Sequence, residues 1–219
     1  MKPKLIIFDF DGVIANTEDI FFKILHKTLS DFGINMDFKT CCYTFAGKDT
    51  LTTLHNVAQK YNSNVSAHEI YEVLLKDKKI WMKQVTATPF IEDVLGSLKV
   101  PYCIASNSAP EHINSTLELI KLDHFFNSNN KFSAVTLGKF KPDPAVYLEA
   151  LKKMGFSNNE AMVIEDSITG VQAAHAAKIP VIGYVGSNHV NKEEHSLALK
   201  QNGAFTTVNS FKEIIPLLV

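Results

Sequence analysis

The chain has 219 residues, enough for one large domain or for a domain that carries a smaller one. Its 22 basic and 23 acidic residues give a net charge of −1, so neither nucleic acid nor an anionic membrane is expected as a partner. No apolar stretch approaches the ~20 residues that a membrane-spanning helix needs. The three cysteines have no metal-ligand spacing and indicate reduced thiols, so we expect a cytoplasmic protein.

Short apolar runs bounded by turn residues predict five buried strands. They cover residues 4–10, 100–107, 161–166, 180–185 and 204–209. Helical patterns separate the later runs. One begins at Pro144, with Asp143 as the expected N-cap and Gly155 as the expected end. Strands that alternate with helices predict a doubly wound, Rossmann-like α/β core with a mostly parallel sheet.

Residues 16–88 interrupt this alternation, because they contain helical patterns and no convincing strand. We therefore predict a helical domain of residues 16–88, inserted after the first strand. The α/β core would then consist of residues 1–15 and 89–219.

Polar residues collect at the carboxyl ends of three predicted strands. These residues are Asp9 and Asp11, Ser106 and Asn107, and Glu165 and Asp166. Ligands of open α/β sheets bind beyond these strand ends. Four carboxylates in one crevice would repel one another unless a divalent cation lay among them. Oxygen ligands suit Mg²⁺, so the sequence predicts a magnesium site at this edge of the sheet.

Each polar motif also has a structural interpretation. Asp and Gly after the first strand could form a simple turn. Ser108 and Glu111 fit a capping box, although the same helix N-terminus could bind an anion. Lys141 could be a solvated surface charge or could neutralise a phosphoryl oxygen. Asp166 or Ser167 could cap the alanine-rich helix that follows.

Four stretches occur along the chain in a fixed order: DFDGVIANTE (9–18), SNS (106–108), KPDP (141–144) and VIEDSITG (163–170). Together they resemble the haloacid dehalogenase-like hydrolase superfamily, specifically its capped subgroup of β-phosphoglucomutase and sugar-phosphate phosphatases. The resemblance covers the whole chain. It implies a phosphoric monoester hydrolase that acts on a small phosphorylated metabolite, with a sugar phosphate as the expected substrate.

The resemblance also implies roles for the acidic residues. Asp9 would be the nucleophile that forms an aspartyl-phosphate, and Asp11 would be the general acid and then the general base. Mg²⁺ would be held by the side chains of Asp9 and Asp166, by the main-chain carbonyl of Asp11, and by Glu165.

Phosphate binding and substrate choice follow from the same resemblance. The phosphoryl oxygens would be held by Ser106, Asn107 and Lys141. Members of the family often have a cis peptide bond after this lysine. The helical insert would act as a cap that selects the substrate, with candidate contacts at Glu18, Gly47 and Lys48.

Departures from the family pattern narrow the activity. Asp11 is the second acid that true haloacid dehalogenases lack, which argues against dehalogenation. Mutases of the β-phosphoglucomutase type carry a histidine and an arginine where this chain has Phe21 and Thr50, so we favour hydrolysis. Asn16 replaces the usual acid before Thr17, with no evident consequence.

Three alternatives to a phosphatase remain open from the sequence. A mutase is the nearest, a receiver-like phosphoacceptor is the main non-enzyme candidate, and a binding protein that has lost catalysis is the third. Receivers have no helical insert after the first strand, and the intact acids argue against lost catalysis. The near-neutral charge and the insert are compatible with a monomer.

Overall fold

The computed structural model describes residues 2–45 and 50–218. In this part of the chain the strands are β1 (Leu5–Phe8), β2 (Tyr102–Ser106), β3 (Lys131–Ser133), β4 (Ala161–Glu165), β5 (Val181–Tyr184) and β6 (Thr206–Val208). They form one sheet in the order β3-β2-β1-β4-β5-β6, and neighbouring strands are parallel. This is the order of a doubly wound, Rossmann-like sheet, so the predicted fold class is confirmed.

The described α-helices are α1 (Thr17–Asp31), α2 (Phe38–Phe45), α3 (Thr50–Lys60), α4 (Ala67–Trp81), α5 (Ile91–Ser97), α6 (Pro110–Leu119), α7 (Ala134–Leu137), α8 (Ala145–Met154), α9 (Ile168–Ala176), α10 (Lys192–Gln201) and α11 (Phe211–Leu218). Among these helices none has both the length and the apolar character needed to span a bilayer.

The central strand β1 is built only from Leu, Ile and Phe, and all four residues are fully buried. A parallel strand covered on both faces reads as a continuous apolar run rather than an alternating one. Leu5 and Ile7 pack into one cluster with Val163 of β4 and Tyr147 of α8. Burial of each Leu or Ile side chain stabilises the folded state by about 1.5–3 kcal/mol. The apolar strand β1 therefore anchors the centre of the sheet.

Two compact units make up the chain. The α/β unit comprises Met1–Asn16, Thr86–Ser187 and Asn191–Val219, and the helical unit comprises Thr17–Val85 and Asn188–Val190. The sequence predicts domain boundaries after residues 15 and 88, and the two units of the structure change after residues 16 and 85. The three residues Asn188–Val190 belong to the helical unit although they lie far along the chain, which the sequence did not indicate.

The helical unit has its own apolar core, which includes Leu25, Leu29, Leu54 and Ile70. Helix α2 was not predicted, because its sequence FKTCCYTF is rich in residues with low helix propensity. Its buried residues Cys41, Cys42 and Phe45 join this core, and packing therefore stabilises a helix that propensity alone does not favour. Burial raises the pKa of the Cys41 thiol to about 12, so that thiol is not reactive.

Two local predictions in the α/β unit need correction. The edge strand β3 was missed because it has only three residues and follows an Asn- and Ser-rich stretch. The N-cap of α8 is Pro144 rather than Asp143. Asp143 nevertheless stabilises the start of this helix, because its Oδ1 accepts a hydrogen bond from the Ala145 N–H at 2.8 Å. The end of α8 at Gly155, in the left-handed region, is as predicted.

Candidate active site

The sheet brings three strand ends together in the α/β unit. Strand β1 pairs in parallel with both β2 and β4, so the carboxyl ends of these strands lie side by side. Asp9 directly follows β1, Ser106 ends β2 and Glu165 ends β4. The polar residues that the sequence placed at strand ends therefore converge at one edge of the sheet, where open α/β folds bind their ligands.

Lys141 lies at the centre of this edge and is a buried cation rather than a surface charge. Its Nζ donates to Asp9 Oδ1 at 2.6 Å, to Glu165 Oε2 at 2.8 Å and to the Ala105 carbonyl at 2.9 Å. An ammonium group has three N–H donors, and these three acceptors satisfy them all. The side chain is only 2% exposed, so these contacts fix it in one position. The Lys141–Pro142 peptide bond is cis.

Glu165 is fully buried and both of its carboxylate oxygens accept hydrogen bonds. Oε2 accepts from Lys141 and from the Tyr147 hydroxyl at 2.6 Å. Oε1 accepts from the N–H of Ser167 at 3.0 Å and from its hydroxyl at 2.8 Å. Burial alone would raise the pKa of Glu165, but Lys141 and these donors hold it below its usual value. Glu165 is therefore ionised and anchors the lysine.

The electrostatic balance differs at Asp9. Burial and the neighbouring Glu165 raise the pKa of Asp9 to about 8, and the Lys141 ammonium only partly offsets them. Burial also opposes the charge on Lys141, but Asp9 and Glu165 outweigh it and raise the pKa of Lys141 well above its ordinary value. One lysine thus serves two buried carboxylates, and a deficit of positive charge remains at Asp9.

A divalent cation would remove that deficit, and the donor set fits one. Asp9, Glu165 and Asp166 each offer a carboxylate oxygen, and these oxygens lie within 4.8 Å of one another. Asp9 and Asp166 are only 7% and 9% exposed, and burial makes negative charge costly. Oxygen-only donors of this kind suit Mg²⁺. The predicted ligand set, including the main-chain carbonyl of Asp11, stays a prediction.

Two glycines allow these carboxylates to approach the backbone. Gly12 has φ +81°, and a Cβ there would lie 1.9 Å from Asp166 Oδ2. A Cβ at Gly170 would lie 1.9 Å from Glu165 Oε2. Ser167 is the N-cap of α9, as one reading of the motif allowed, and its hydroxyl accepts from the Gly170 N–H. Both glycine positions therefore exclude any side chain, because the acids occupy the space.

Asp11 is held separately from the buried acids. Its Oδ2 accepts a hydrogen bond from the Ser108 hydroxyl, and its Oδ1 lies 3.2 Å from His112 Nε2. The expected capping box at Ser108 and Glu111 is wrong: α6 has Ala109 as its N-cap and no side-chain cap bond. Ser108 turns to Asp11 instead. The sequence analysis did not predict His112 as a site residue. Its position in the first turn of the helix that follows β2 could have indicated that it lies near the site.

The predicted phosphate-binding residues line the same loops. Ser106 is buried, and its Oγ accepts from the Ser108 N–H at 3.0 Å. Asn107 Oδ1 accepts a hydrogen bond from the Lys141 main-chain N–H at 2.9 Å, which connects the segment after β2 to the loop that carries Lys141. The Asn107 side chain thus has a structural partner, and the proposed contacts to phosphate stay predictions.

The predicted substrate contacts lie elsewhere in the chain. Glu18 is in the first turn of α1, within the helical unit. Gly47 and Lys48 fall outside the described residues. None of the three is tested, and the role of the helical unit as a cap likewise remains a prediction.

A family model described as haloacid dehalogenase-like hydrolase matches residues 6–184. The chain belongs to this family. The membership confirms the resemblance inferred from the four motifs.

Two relatives named as phosphatases and one solved structure illustrate the similarity. The chain is 22% identical to the 6-phosphogluconate phosphatase of Escherichia coli, over 86% of this chain and 85% of that protein. It is 25% identical to the phosphorylated carbohydrates phosphatase of Thermotoga maritima, over 96% and 99%. A HAD family hydrolase from Deinococcus radiodurans, solved with bound phosphate and sodium, matches with a TM-score of 0.89 at 26% identity, over 99% and 95%.

Proposed function

We propose that this chain is a Mg²⁺-dependent phosphatase that hydrolyses a small phosphomonoester, with a sugar phosphate as the favoured substrate, through an aspartyl-phosphate on Asp9. The enzyme class is a phosphoric monoester hydrolase, in line with the family and with relatives named as phosphatases. The observation that carries the proposal is Asp9 itself: a buried carboxylate held by Lys141 at 2.6 Å and left short of positive charge.

In the first step a carboxylate oxygen of Asp9 attacks phosphorus, and the bond from phosphorus to the substrate oxygen breaks. Lys141 fixes one oxygen of Asp9 and so orients the nucleophile. Asp11 gives its proton to the leaving oxygen, which departs as a neutral alcohol. The products are the alcohol and the phosphorylated Asp9.

In the second step water attacks the phosphorus of the acyl phosphate. Asp11, now ionised, takes the proton from that water. The bond to Asp9 breaks, which frees inorganic phosphate and restores the carboxylate. Mg²⁺, held by Asp9 and Asp166 and in the predicted set also by Asp11 and Glu165, would supply positive charge against these carboxylates and the phosphoryl oxygens.

Hydrolysis is favoured over the mutase by the basic residues available. All 22 Lys and Arg residues of the chain are lysines, so arginine is absent from the sequence. A mutase must bind a bisphosphate through both phosphates, and arginine is the residue best suited to bidentate phosphate recognition. A phosphatase needs only one phosphate subsite.

Release of inorganic phosphate from a panel of small phosphomonoesters, with Mg²⁺ and then with excess chelator, tests the proposal. We expect release concentrated on one or a few sugar phosphates and lost with chelator. Mg²⁺ restored after chelation should restore the rate, which separates metal removal from unfolding.

Two results would contradict this function. Turnover that is unchanged in chelator would exclude the metal requirement. Isomerisation of a sugar phosphate with a bisphosphate activator, without phosphate release, would favour the mutase. For a substitution at Asp9, the matched control is Asp123→Asn, which removes an exposed acid of the same unit and should leave the rate unchanged.

A further inference from the structure

The proposed acid and base, Asp11, differs from the other acids of the site in how it is held. Asp9 and Glu165 share the buried lysine, whereas the Asp11 side chain is 23% exposed. Hydrogen bonds to Ser108 and His112 reach both of its oxygens, one on each. A partly exposed aspartate turns freely about its side-chain bonds unless such contacts restrain it.

The two residues that hold Asp11 are themselves fixed. The Ser108 N–H donates to Ser106 Oγ at 3.0 Å, and the Ser108 carbonyl accepts from the Ser133 hydroxyl at 2.7 Å. The His112 ring packs edge-on against the Phe10 ring, with centroids 6.1 Å apart and planes at 89°. Phe10 is fully buried between Asp9 and Asp11 in sequence. His112 is therefore anchored to the same loop whose carboxylate it contacts.

We propose that His112, together with Ser108, is a positioning residue that holds the Asp11 carboxylate in one orientation for proton transfer. This inference rests on the proposed function. A serine hydroxyl can donate or accept, so Ser108 remains a partner of Asp11 both before and after the proton moves. His112 adds a contact to Oδ1, the other carboxylate oxygen. Contacts to both oxygens fix the plane of the carboxylate, whereas a single contact would leave it free to rotate. Neither residue touches the reacting phosphorus in this scheme.

Two phosphate esters with different leaving groups separate positioning from a general structural effect. An alkyl phosphate has a poor leaving group, an alkoxide, which needs a proton from Asp11, whereas 4-nitrophenyl phosphate releases 4-nitrophenolate, which departs without one. The value of kcat/KM reports the first step, where this difference arises. His112→Ala should lower kcat/KM for the alkyl ester about 10-fold, less than the roughly 10²–10⁴-fold that general acid catalysis contributes in full, because Asp11 itself remains. For the aryl ester we expect little change.

Three further variants complete the test. His112→Gln keeps an N–H donor of similar reach and should restore much of the alkyl rate. Ser108→Ala should show the same dependence on leaving group. His124→Ala removes an exposed histidine of the same unit and should change neither rate. Thermal unfolding of each variant confirms that it is folded.

The outcomes distinguish this inference from the proposed function. If the wild type hydrolyses both esters but His112→Ala lowers both rates equally, or lowers neither, the positioning role is overturned. If the wild type releases phosphate from neither ester and from no sugar phosphate of the panel, the proposed function fails and the inference fails with it.

Discussion

Two buried aspartates, one in each unit, behave in opposite ways. Asp9 of the α/β unit is 7% exposed, and Asp19 of the helical unit is 3% exposed. The pKa of Asp9 is raised to about 8 by burial and by Glu165, whereas the pKa of Asp19 is lowered to about 2. Burial is the largest influence on both, and it raises the pKa in each case. The difference lies in the partners.

Asp19 has a complete set of donors. Burial would raise its pKa, but bonds from His189 and Asn188 outweigh it. The main-chain N–H groups of Asn188 and His189 donate to Oδ1 at 3.0 Å, and the Asn188 side-chain amide donates to Oδ2 at 3.0 Å. His189 Nδ1 lies 2.9 Å from Oδ1, and its ring stacks on Phe22 at 4.8 Å. This network ties Asn188–Val190 to the helical unit.

Burial and charge do not distinguish Asp9 from Asp19, but the balance of donors does. The fold satisfies Asp19 completely, so its charge stabilises the native state. Asp9 instead shares the Lys141 ammonium with Glu165. Carboxylates with perturbed pKa values concentrate at functional sites.

The largest effect is expected at Asp9. Asp9→Asn should lower phosphate release by about 10⁴-fold or more, because the amide cannot act as the nucleophile. The free energy of unfolding should not fall, since the substitution removes the repulsion with Glu165. Steady-state turnover and urea unfolding measure the two effects. A variant with substantial activity, or one that is strongly destabilised, would remove the contrast with Asp19.

Asp19→Asn should show the reverse pattern. Its pKa, depressed from 3.8 to about 2, corresponds to about 2 kcal/mol of native-state stability that the variant would lose at neutral pH. The folded state binds fewer protons here than the unfolded state, so this stability is present above pH 4 and is lost as pH falls towards 2. Urea unfolding of wild type and variant between pH 7 and pH 2 measures the difference.

At neutral pH the folded Asp19→Asn protein should keep most of its turnover. If the two proteins differ in stability by the same amount at all pH values, the hydrogen-bonded carboxylate is not the source of the difference. Asp93→Asn, at an exposed site, provides the control.

The smallest effect is expected at Tyr147, which is fully buried beneath the lysine. Tyr147→Phe removes one hydrogen bond to Glu165 but keeps the ring, which lies 4.7 Å from Lys141 Nζ. We expect a loss of about 1.5 kcal/mol in stability, typical of a bond to a charged group. Turnover should fall only several-fold, because Lys141 still bridges the two acids. A fall as large as that of Asp9→Asn would mean that the hydroxyl contacts the reacting groups.

The sequence predicted the parts of this molecule that depend on local pattern. Apolar runs located β1, β2, β4, β5 and β6, and the rule for strand ends then brought Asp9, Ser106 and Glu165 together. That rule works because parallel strands align their carboxyl ends whatever separates them along the chain. For Lys141 the sequence allowed a surface charge or a phosphate ligand, and it did not predict the buried contacts of this lysine with Asp9 and Glu165.

Local pattern could not predict contacts that depend on tertiary packing. Ser108 fits a capping box by its spacing, yet in the fold its hydroxyl has a better acceptor in Asp11, 97 residues away. The donors to Asp19 lie 169 and 170 residues from it. No spacing rule links positions so far apart, because only the folded chain makes them neighbours.

The central claim is that Asp9 carries the phosphoryl group, and trapping that group tests it most directly. The chain would be mixed with substrate and Mg²⁺, quenched in acid and treated with borohydride, which reduces an aspartyl-phosphate to homoserine. Mass spectrometry of the resulting peptides then shows whether residue 9 is aspartate or homoserine. We predict homoserine at this position, absent without substrate and absent in chelator. Turnover with an unmodified Asp9, or modification at another residue, would contradict the account.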